Sequence, residues 1–498
     1  MAPTEQHQPT FPDEKASRYE SDSSDLSLDD VLHARQGDDS AMAKRVWRKL
    51  DLYLLPVVTM FYFLSFLDRS NISNARVAGL QKDLKLTNHQ YSVALTVTYV
   101  PYIAAELPSN LLLKFVGPNL MLPTMLALWG IVTTLQGTVK TYQGLLVCRF
   151  FLGLFEGGVF PGLVLYLSFF YPRQRLNWRI TMFFSAASIS GAFSGLLAFG
   201  IVNLDGVGHR PGWAWIFILE GLFTFLFGLL SYFLLPRSPA NARFLSQDEK
   251  DFIARTLKAD GAIGKDKKVD GFSWREVGRA FMSPHVWMLA TMLFLSGTIL
   301  FAMAYFTPSI VQGLGFTSSR AQLMSVPPFA TAFVVAMISS YISDHYHCRG
   351  LVSIFSGLLC VIGSAMFLVS KNHHIQYASL FFSICGTYTS APTLSTWIAN
   401  NAAPHTRRAT AIAIGFIMTS VGGILATWLL GSISAAPRYT VATQVLLAFA
   451  VVKTVLSGVT TWYLFEQNKK KEAIRKTTTR EQEGPGLGDK SAWFIYAL

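Results

Sequence analysis

Long apolar segments alternate with short polar breaks along most of this chain, between residues 52 and 465. About 20 apolar residues in helical conformation are enough to cross the hydrocarbon core of a bilayer. Twelve segments fit this pattern, and they predict membrane-spanning helices at 52–80, 90–113, 120–139, 143–171, 178–202, 213–236, 285–314, 319–343, 350–370, 376–402, 407–433 and 440–465. The pattern therefore predicts an all-α membrane protein.

The longer polar stretches divide the chain into five regions. Residues 1–45 are rich in Ser and Asp and have little to bury, which predicts a disordered N-terminal tail. Six spans follow within 46–236, and a hydrophilic linker occupies 237–283. Six more spans lie within 284–466, before a polar tail at 467–498. This layout predicts two six-helix bundles joined by the linker.

Basic residues indicate how the bundles lie in the membrane. Lys and Arg are concentrated just before the first span, in the linker and in the C-terminal tail. Such residues stay preferentially on the cytoplasmic side, and an even number of spans separates the three regions. Both termini and the linker are therefore predicted to be cytoplasmic. Four lysines fall on the opposite side, namely Lys82, Lys85, Lys140 and Lys371. The more numerous basic residues of the tails and linker outweigh these four in predicting the orientation.

The two halves also share a spacing. Thr87 and Thr317 are both good candidates for helix N-caps, and each lies 27 residues before a charged residue, Lys114 or Asp344. Together with the layout of six spans, a linker and six spans, this spacing favours an internal duplication. Internal repeats of this kind are typical of secondary transporters, which suggests a pseudo-symmetric pair of bundles.

Composition supports a membrane protein and argues against other classes. The chain is 51% hydrophobic and 14% charged, whereas soluble domains are about 25% charged. A net charge of +12 could indicate nucleic-acid binding, but the basic residues lie in loops and tails. The four Cys suggest no disulfide scaffold, and the loop His form no set at metal-ligand spacing. The absence of a phosphate loop disfavours an ATP-driven pump.

Several charged residues nevertheless fall inside predicted spans. Arg149 and Glu156, in the segment RFFLGLFEGG, are two helical turns apart on one face, a separation of about 10 Å. That is too far for a direct ion pair, so the gap could hold a small carboxylate, a water or another side chain. Asp68 and Arg69 lie midway along the first span and point about 100° apart. Buried charges in a membrane usually mark function, and a purely structural ion pair is the alternative.

The layout resembles the major facilitator superfamily. Its members usually carry an acidic residue and a basic residue in the loop after the second span of each half. The second half keeps these at Asp344 and Arg349, whereas Lys114 occupies the acidic position of the first half. The segments FLDRSNISNA, ELPSNLLLK, RFFLGLFEGGVFPG, WIFILEG and SDHYHCRG are similar to the fungal anion:cation symporter family. That family includes permeases for allantoate, nicotinate, pantothenate and biotin.

The resemblance implies roles for individual residues. In the wider group of organic-anion symporters, arginines bind the substrate carboxylate and acids carry protons. Carried over to this chain, Arg69 and Arg149 would bind substrate, and Asp68 and Glu156 would couple to protons. Tyr305, near the helix-breaking Pro308, is a further candidate for the cavity wall, with a core aromatic as the alternative. Gating or structural roles are expected for four residues, Lys114, Asp344, Arg349 and Glu106.

The expected function is therefore proton-coupled symport of a small organic anion, such as nicotinate or another vitamin-like monocarboxylate. The expected setting is the plasma membrane of a fungus, with a monomer in the lipid bilayer and no cofactor besides the coupling proton. An exporter or exchanger of anionic metabolites on the same fold is the alternative. A non-transporting nutrient sensor is a weaker one, motivated by the Ser-rich tail. An enzyme is disfavoured because no nucleophile and base share a predicted depth.

Overall fold

The computed structural model describes residues 28–259, 274–346, 348–434, 436, 438–477, 482–483 and 487–498. Within these residues the chain forms helices, turns and irregular connections, with no β-strand. The first half contains α1 (Leu28–Val77), α2 (Leu80–Asp83), α3 (Asn88–Val116), α4 (Pro118–Gln136), α5 (Tyr142–Glu156), α6 (Val159–Ser168), α7 (Arg173–Ile201) and α8 (Gly212–Leu234). The all-α class predicted from the apolar pattern is confirmed.

The linker and the second half supply the remaining helices. Two short helices, α9 (Gln247–Ala259) and α10 (Trp274–Phe281), belong to the linker. The second half contains α11 (Pro284–Gly313), α12 (Ser318–Tyr346), α13 (Arg349–Val369), α14 (His373–Asn400), α15 (His405–Trp428) and α16 (Thr440–Thr477). A π-helical turn, Leu429–Ile433, extends α15. Each of the twelve predicted spans overlaps one of these helices, except that the fourth is divided between α5 and α6.

Ten helical segments of the described chain are long and apolar enough to cross a membrane. They do not include α3 or α14, so the predicted count of twelve is not fully confirmed. Helix α14 can be less apolar than the other spans because it packs against four helices, α11, α12, α13 and α15. Its buried face carries many Ser and Thr, including Ser379, Ser383 and Thr387. A helix surrounded by protein needs fewer apolar side chains than one exposed to lipid.

Helices α3 and α12 occupy equivalent places in the two halves. Each is 29 residues long and follows a threonine, Thr87 or Thr317. The Thr87 hydroxyl accepts a hydrogen bond from the Gln90 amide, and the Gln90 side chain accepts one from the Thr87 amide. This reciprocal capping box fixes the start of α3. The equal lengths agree with the internal duplication that the sequence spacing predicts.

Helix α1 begins at Leu28, inside the segment 1–45 for which the sequence predicts disorder; residues 1–27 lie outside the described part. The end of this extension contacts the linker, because the Nε atom of Arg45 lies 3.3 Å from the Oε1 oxygen of Glu249 on α9. Just after it, Lys49 donates hydrogen bonds to both oxygens of Glu249, at 2.7 and 2.9 Å. Val46 is completely buried. These tertiary contacts hold a segment whose own composition is too polar to form a core.

The predicted C-terminal tail, 467–498, is also partly structured. Helix α16 continues to Thr477, and the segment 487–498 packs against the end of the second half. Trp397 donates a hydrogen bond to the carbonyl of Ala497 at 2.8 Å, and the Asn401 amide nitrogen donates to the same oxygen at 3.0 Å. This segment therefore belongs to the folded C-terminal bundle.

Candidate functional site

A central cavity lies between the two halves. Both halves contribute to its wall, but they contribute different chemistry. The first half supplies its two charged residues, Arg69 and Glu156, together with Ser65, Tyr62 and Tyr102. The second half supplies neutral side chains, namely Leu293, Ser296, Leu300, Phe301, Ala391, Ser395, Phe416, Thr419 and Ser420. The wall is therefore mostly apolar and aromatic, with one concentrated charged site.

Arg69 and Glu156 form a buried ion pair in this wall. The Nε and Nη2 groups of Arg69 lie 2.8 and 2.6 Å from the Oε1 oxygen of Glu156. The Ser65 hydroxyl donates a third hydrogen bond to the same oxygen, at 2.5 Å. The other carboxylate oxygen, Oε2, has no hydrogen-bond partner in the described protein. A guanidinium carries five N–H donors, so Arg69 keeps donors that Glu156 does not use.

Three aromatic rings surround the Arg69 guanidinium. Its central carbon lies 5.3 Å from the ring centroid of Phe66, 5.0 Å from that of Tyr102 and 5.6 Å from that of Phe301. Arginine stacks favourably on aromatic faces, and the contact strengthens when water is excluded. Since Phe301 belongs to the second half, the arginine is held at the junction of the two bundles. A planar carboxylate bound here would contact both of them.

The sequence after Glu156 explains how the carboxylate reaches this position. Helix α5 ends at Glu156, and Gly157 and Gly158 separate it from α6. A Cβ atom on Gly157 would collide with the backbone carbonyl oxygen of Tyr102. Glycine is therefore required for α5 to approach α3 this closely, and the close approach brings Glu156 and Tyr102 to the same wall. Small residues of this kind typically allow two membrane helices to pack closely.

Asp68 points away from the cavity, as expected if adjacent residues of α1 face different surroundings. Its Oδ2 oxygen accepts a hydrogen bond from the indole nitrogen of Trp129 at 3.2 Å. Its Oδ1 oxygen has no partner in the described protein, and the side chain is only 1% exposed. Asp68 is therefore buried behind the cavity wall.

Arg149 is also buried and is not among the residues that line the cavity. Its guanidinium lies 6.0 Å from the ring centroid of Phe217 on α8, and its Nε and Nη2 atoms have no hydrogen-bond partner in the described protein. No direct pair joins it to Glu156, as the two-turn separation predicts, because Glu156 pairs with Arg69. Substrate binding by Arg149 stays a prediction.

Tyr305 lies above the cavity, toward the end of the molecule opposite the two termini. Its hydroxyl is 3.0 Å from that of Tyr99 in the other half, and its ring stacks on Phe301 with centroids 5.8 Å apart. It is 4% exposed and does not line the cavity. This placement matches a buried aromatic at the junction, and the predicted contact with substrate stays a prediction.

More hydrogen bonds join the halves at this same end. The Ser92 hydroxyl donates to the carbonyl of Thr427 at 3.1 Å, and the Ser318 hydroxyl donates to the carbonyl of Val77 at 2.8 Å. Thr96 and Thr427 are joined through their hydroxyls at 3.2 Å. The halves are thus in direct polar contact above the cavity. We call the end of the molecule where these contacts lie the closed end.

The candidate gating residues lie toward the opposite end. Arg349 donates to Asp344 at 3.0 Å, so the acidic and basic positions of the second half form an ion pair. The side chain of Lys114, the corresponding residue of the first half, lies outside the described residues. Glu106 is partly buried on α3 and does not line the cavity. Their gating roles stay predictions.

Sequence reasoning missed several members of the site. Ser65 lies one helical turn before Arg69, a spacing that places it on the same face and could have revealed it. Tyr102 and Trp129 carried no local signal, because their partners come from distant segments. Glu220, an acid in the segment WIFILEG, is buried on α8. Among the described residues, no cluster of His, Cys, Asp or Glu could hold a metal ion.

Two bundles of long apolar helices around a central, mostly apolar cavity that holds one buried ion pair have the architecture of a multi-pass membrane transporter. The model of the Major Facilitator Superfamily matches residues 58–427, and the chain belongs to that family. The expected family and the expectation that the protein is not an enzyme are both confirmed.

Relatives in fungi support this assignment. An uncharacterized transporter of Schizosaccharomyces pombe is 34% identical over 488 residues, covering 97% of this chain and 95% of the relative. The high-affinity nicotinic acid transporter of Saccharomyces cerevisiae is 34% identical over 461 residues, covering 91% of this chain and 85% of that protein. The chain is thus similar over nearly its whole length to fungal transporters.

Solved structures show the same fold at low identity. A bacterial homologue of the human lysosomal transporter Spinster, inward-facing and unoccupied, has a TM-score of 0.63 and 14% identity, covering 82% of this chain and 95% of that one. The xylose transporter XylE from E. coli, partially occluded and inward open, has a TM-score of 0.62 and 13% identity, covering 82% and 97%.

Proposed function

We propose that this transporter is a proton-coupled symporter of a small organic monoanion, with nicotinate as the first candidate. One observation carries the proposal: a guanidinium held in an aromatic wall of the central cavity and paired with a carboxylate that has a free oxygen. Arginine binds carboxylates through two parallel hydrogen bonds and stays charged at any working pH. The cavity therefore suits a flat carboxylate with an apolar or aromatic body.

Coupling follows from the ion pair. When Arg69 and Glu156 are paired, their opposite charges cancel and the cavity wall carries no net charge. A monoanion on Arg69 adds one negative charge in a site shielded from water, where an unbalanced charge is strongly unfavourable. Protonation of Glu156 restores neutrality and releases Arg69 to the substrate. Substrate and proton thus stabilise each other's binding.

Proton coupling also fits the energetics of anion uptake. An inside-negative potential opposes the entry of each negative charge by about 2.3 kcal/mol per 100 mV. Entry of one proton with each monoanion removes this opposition, and a proton gradient then drives accumulation. The similarity to a relative named as a high-affinity nicotinic acid transporter supports nicotinate as the first test substrate.

Alternating access then requires the closed end to open. We infer that this end faces outside, because the basic tails and linker place both termini in the cytoplasm. In this proposal the protein works as a monomer in the plasma membrane, and one bundle rocks against the other around the cavity. The structure then corresponds to a state closed to the exterior.

The test is uptake of radiolabelled nicotinate by cells that lack their own nicotinate carrier and express this chain. We expect uptake that rises when the external medium is acidified and that collapses when a protonophore removes the gradient. Uptake with no dependence on the proton gradient would contradict the coupling. If proteoliposomes take up nicotinate only when they already contain nicotinate, the protein is an exchanger instead.

A further inference from the structure

A second arginine of α1 lies at the closed end, two helical turns beyond Arg69. Arg69 and Arg76 are seven residues apart, so they share one face of α1 and are separated by about 10 Å along its axis. Arg76 occupies the last turn of the helix. Because the closed end faces outside in the proposed function, Arg76 lies between the exterior and the Arg69 site. The proposed function assigns it no role.

Aromatic rings from both halves flank Arg76, as they flank Arg69. The central carbon of the Arg76 guanidinium lies 4.3 Å from the ring centroid of Tyr91 on α3 and 5.7 Å from that of Phe306 on α11. The same two helices each supply one ring to Arg69. Both guanidinium groups are therefore held at the junction of the two halves, in the same kind of surroundings.

The hydrogen bonds of Arg76 leave its positive charge without a negative partner. Its Nε atom donates to the side-chain oxygen of Gln81 at 2.7 Å, and its Nη2 atom donates to that of Asn88 at 3.1 Å. The buried Nη1 atom has no partner in the described protein, and no carboxylate of the described residues pairs with Arg76. Neutral amides orient a guanidinium without cancelling its charge, so the group remains suited to bind an anion.

The loops at the closed end carry an excess of positive charge. Six segments connect the spanning helices there, namely 78–87, 137–141, 202–211, 314–317, 370–372 and 434–439. They contain six basic residues and two acids, the basic ones being Lys82, Lys85, Lys140, Arg210, Lys371 and Arg438. Both acids already accept protein hydrogen bonds, Asp83 from the Trp213 indole and Asp205 from the Gly212 amide, each at 2.7 Å. A positive surface of this kind attracts an approaching anion.

We propose that Arg76 is an outer carboxylate-binding position, which receives the organic monoanion from the exterior before Arg69 binds it. This inference rests on the proposed function. When the halves separate at the closed end, Phe306 moves away with the second half and uncovers the Arg76 guanidinium. The carboxylate then binds its N–H donors, and Arg69 lies on the same face of α1 as the next binding position toward the cavity.

A structural role for Arg76 is the competing explanation. A basic residue in the last turn of a helix stabilises the helix dipole, and Arg76 also joins the end of α1 to Asn88 at the start of α3. Asn88→Asp separates the two roles. The new carboxylate keeps the oxygen that accepts from Arg76, strengthens this contact and suits the first turn of α3. At the same time it occupies the guanidinium with a negative charge, which opposes the binding of an external anion.

The experiment measures initial rates of radiolabelled nicotinate uptake at low and at saturating external concentrations, in cells with equal amounts of each variant. We expect Asn88→Asp and Arg76→Gln to lower the rate at low nicotinate by about tenfold, the lower end of the gain that electrostatic attraction gives to encounter rates. The saturating rate should be retained. Arg76→Lys should lose less than Arg76→Gln, because it keeps the charge. The melting temperature of purified Asn88→Asp should not fall, which keeps the test decisive if Arg76→Gln fails to fold.

Asn372→Asp is the matched control. It makes the same substitution at the same end of the molecule, where the Asn372 side chain caps the start of α14 by accepting from the His374 amide. Both of its rates should equal those of the wild-type protein. An unaltered rate at low nicotinate in Asn88→Asp would overturn the inference and leave Arg76 a structural residue. Absence of nicotinate uptake by the wild-type protein would instead overturn the proposed function.

Discussion

The hydroxyl oxygens of Tyr99 and Tyr305 lie 3.0 Å apart, and this contact joins the two halves directly above the cavity. Tyr99 comes from α3 and Tyr305 from α11, so any opening of the closed end must break the bond between them. A net hydrogen bond contributes about 0.5–1.5 kcal/mol. The contact therefore contributes to the equilibrium between the conformation that is closed at this end and the conformation that is open there.

Tyr305→Phe removes this hydrogen bond. We expect the equilibrium to shift by about twofold to tenfold toward the conformation in which the two halves are separated at this end. Distances between spin labels at positions 85 and 320, which are exposed on either side of the junction, measure the shift. Tyr377→Phe is the matched control, because it removes a bond to the Met324 carbonyl within the second half. Identical distance distributions in both variants would contradict the role of Tyr305.

Arg69→Lys is expected to raise the KM for nicotinate. Lysine cannot make the two parallel hydrogen bonds of a guanidinium, and a hydrogen bond to a charged group contributes about 1.5–3 kcal/mol, or roughly tenfold to a hundredfold in affinity. Initial rates of uptake over a range of nicotinate concentrations measure the change. Arg175→Lys, at an exposed position near the start of α7, should leave KM unaltered. A normal KM in Arg69→Lys would remove this residue from the binding site.

Glu156→Gln is expected to abolish the response of uptake to the pH gradient. Glutamine can still accept a hydrogen bond from Arg69, but it cannot take up a proton when the anion arrives. Uptake measured at several external pH values, with the internal pH held constant, should give a flat profile below the wild-type maximum. Glu466→Gln, at a partly exposed glutamate near the end of α16, should preserve the wild-type profile. A pH profile of unchanged shape in Glu156→Gln would assign coupling elsewhere.

Gly157→Ala is expected to destabilise the first half. The added methyl group would collide with the carbonyl oxygen of Tyr102, and forcing an extra carbon into a packed interface typically costs about 1–3 kcal/mol. Thermal unfolding of the purified protein in detergent measures the loss. Gly200→Ala is the control, because a Cβ atom there meets nothing within 4 Å. Equal melting temperatures for the two variants would show that α3 and α5 have room to separate.

Asp489→Asn is expected to loosen the C-terminal segment. Asp489 pairs with Arg407, which is completely buried and also binds Glu276 on α10 at 2.6 Å. Removing one partner of a buried pair typically costs about 3–5 kcal/mol, and Glu276 keeps the loss at the lower end of that range. Faster proteolysis after residue 477 and a lower melting temperature measure it. Glu466→Gln, which breaks an exposed pair with Lys469, should change neither.

The apolar pattern was sufficient for the helical class and for the place of each long helix. It could not reveal that α1 begins at Leu28 or that residues 487–498 return to the second half, because contacts distant in sequence stabilise both. Trp397 and Asn401 have no local feature that announces Ala497 as their partner. Tertiary contact, rather than local propensity, decides where these helices and tails end.

The charged residues of the site could be identified from the sequence, but their pairing could not. The two-turn spacing of Arg149 and Glu156 correctly excludes a direct ion pair, yet nothing in it indicates Arg69 as the partner of Glu156. Helical periodicity fixes which residues of one helix share a face, whereas the packing of α1 against its neighbours decides which residues of two helices meet. The division of four ionisable groups between the cavity and the region behind it therefore emerges only in three dimensions.

Both charged groups of the cavity come from one bundle, and the polar side chains of the opposing wall form no ion pair or hydrogen bond with them in the described protein. Replacements at Ser296, Ser395, Thr419 or Ser420 would reshape the space around the body of a bound anion and leave its carboxylate anchor untouched. Under the proposed function, selectivity could change through substitutions in one bundle while the proposed coupling residues in the other are kept. A hybrid that joins this N-terminal half to the C-terminal half of a relative should keep its driving ion and acquire a new cargo.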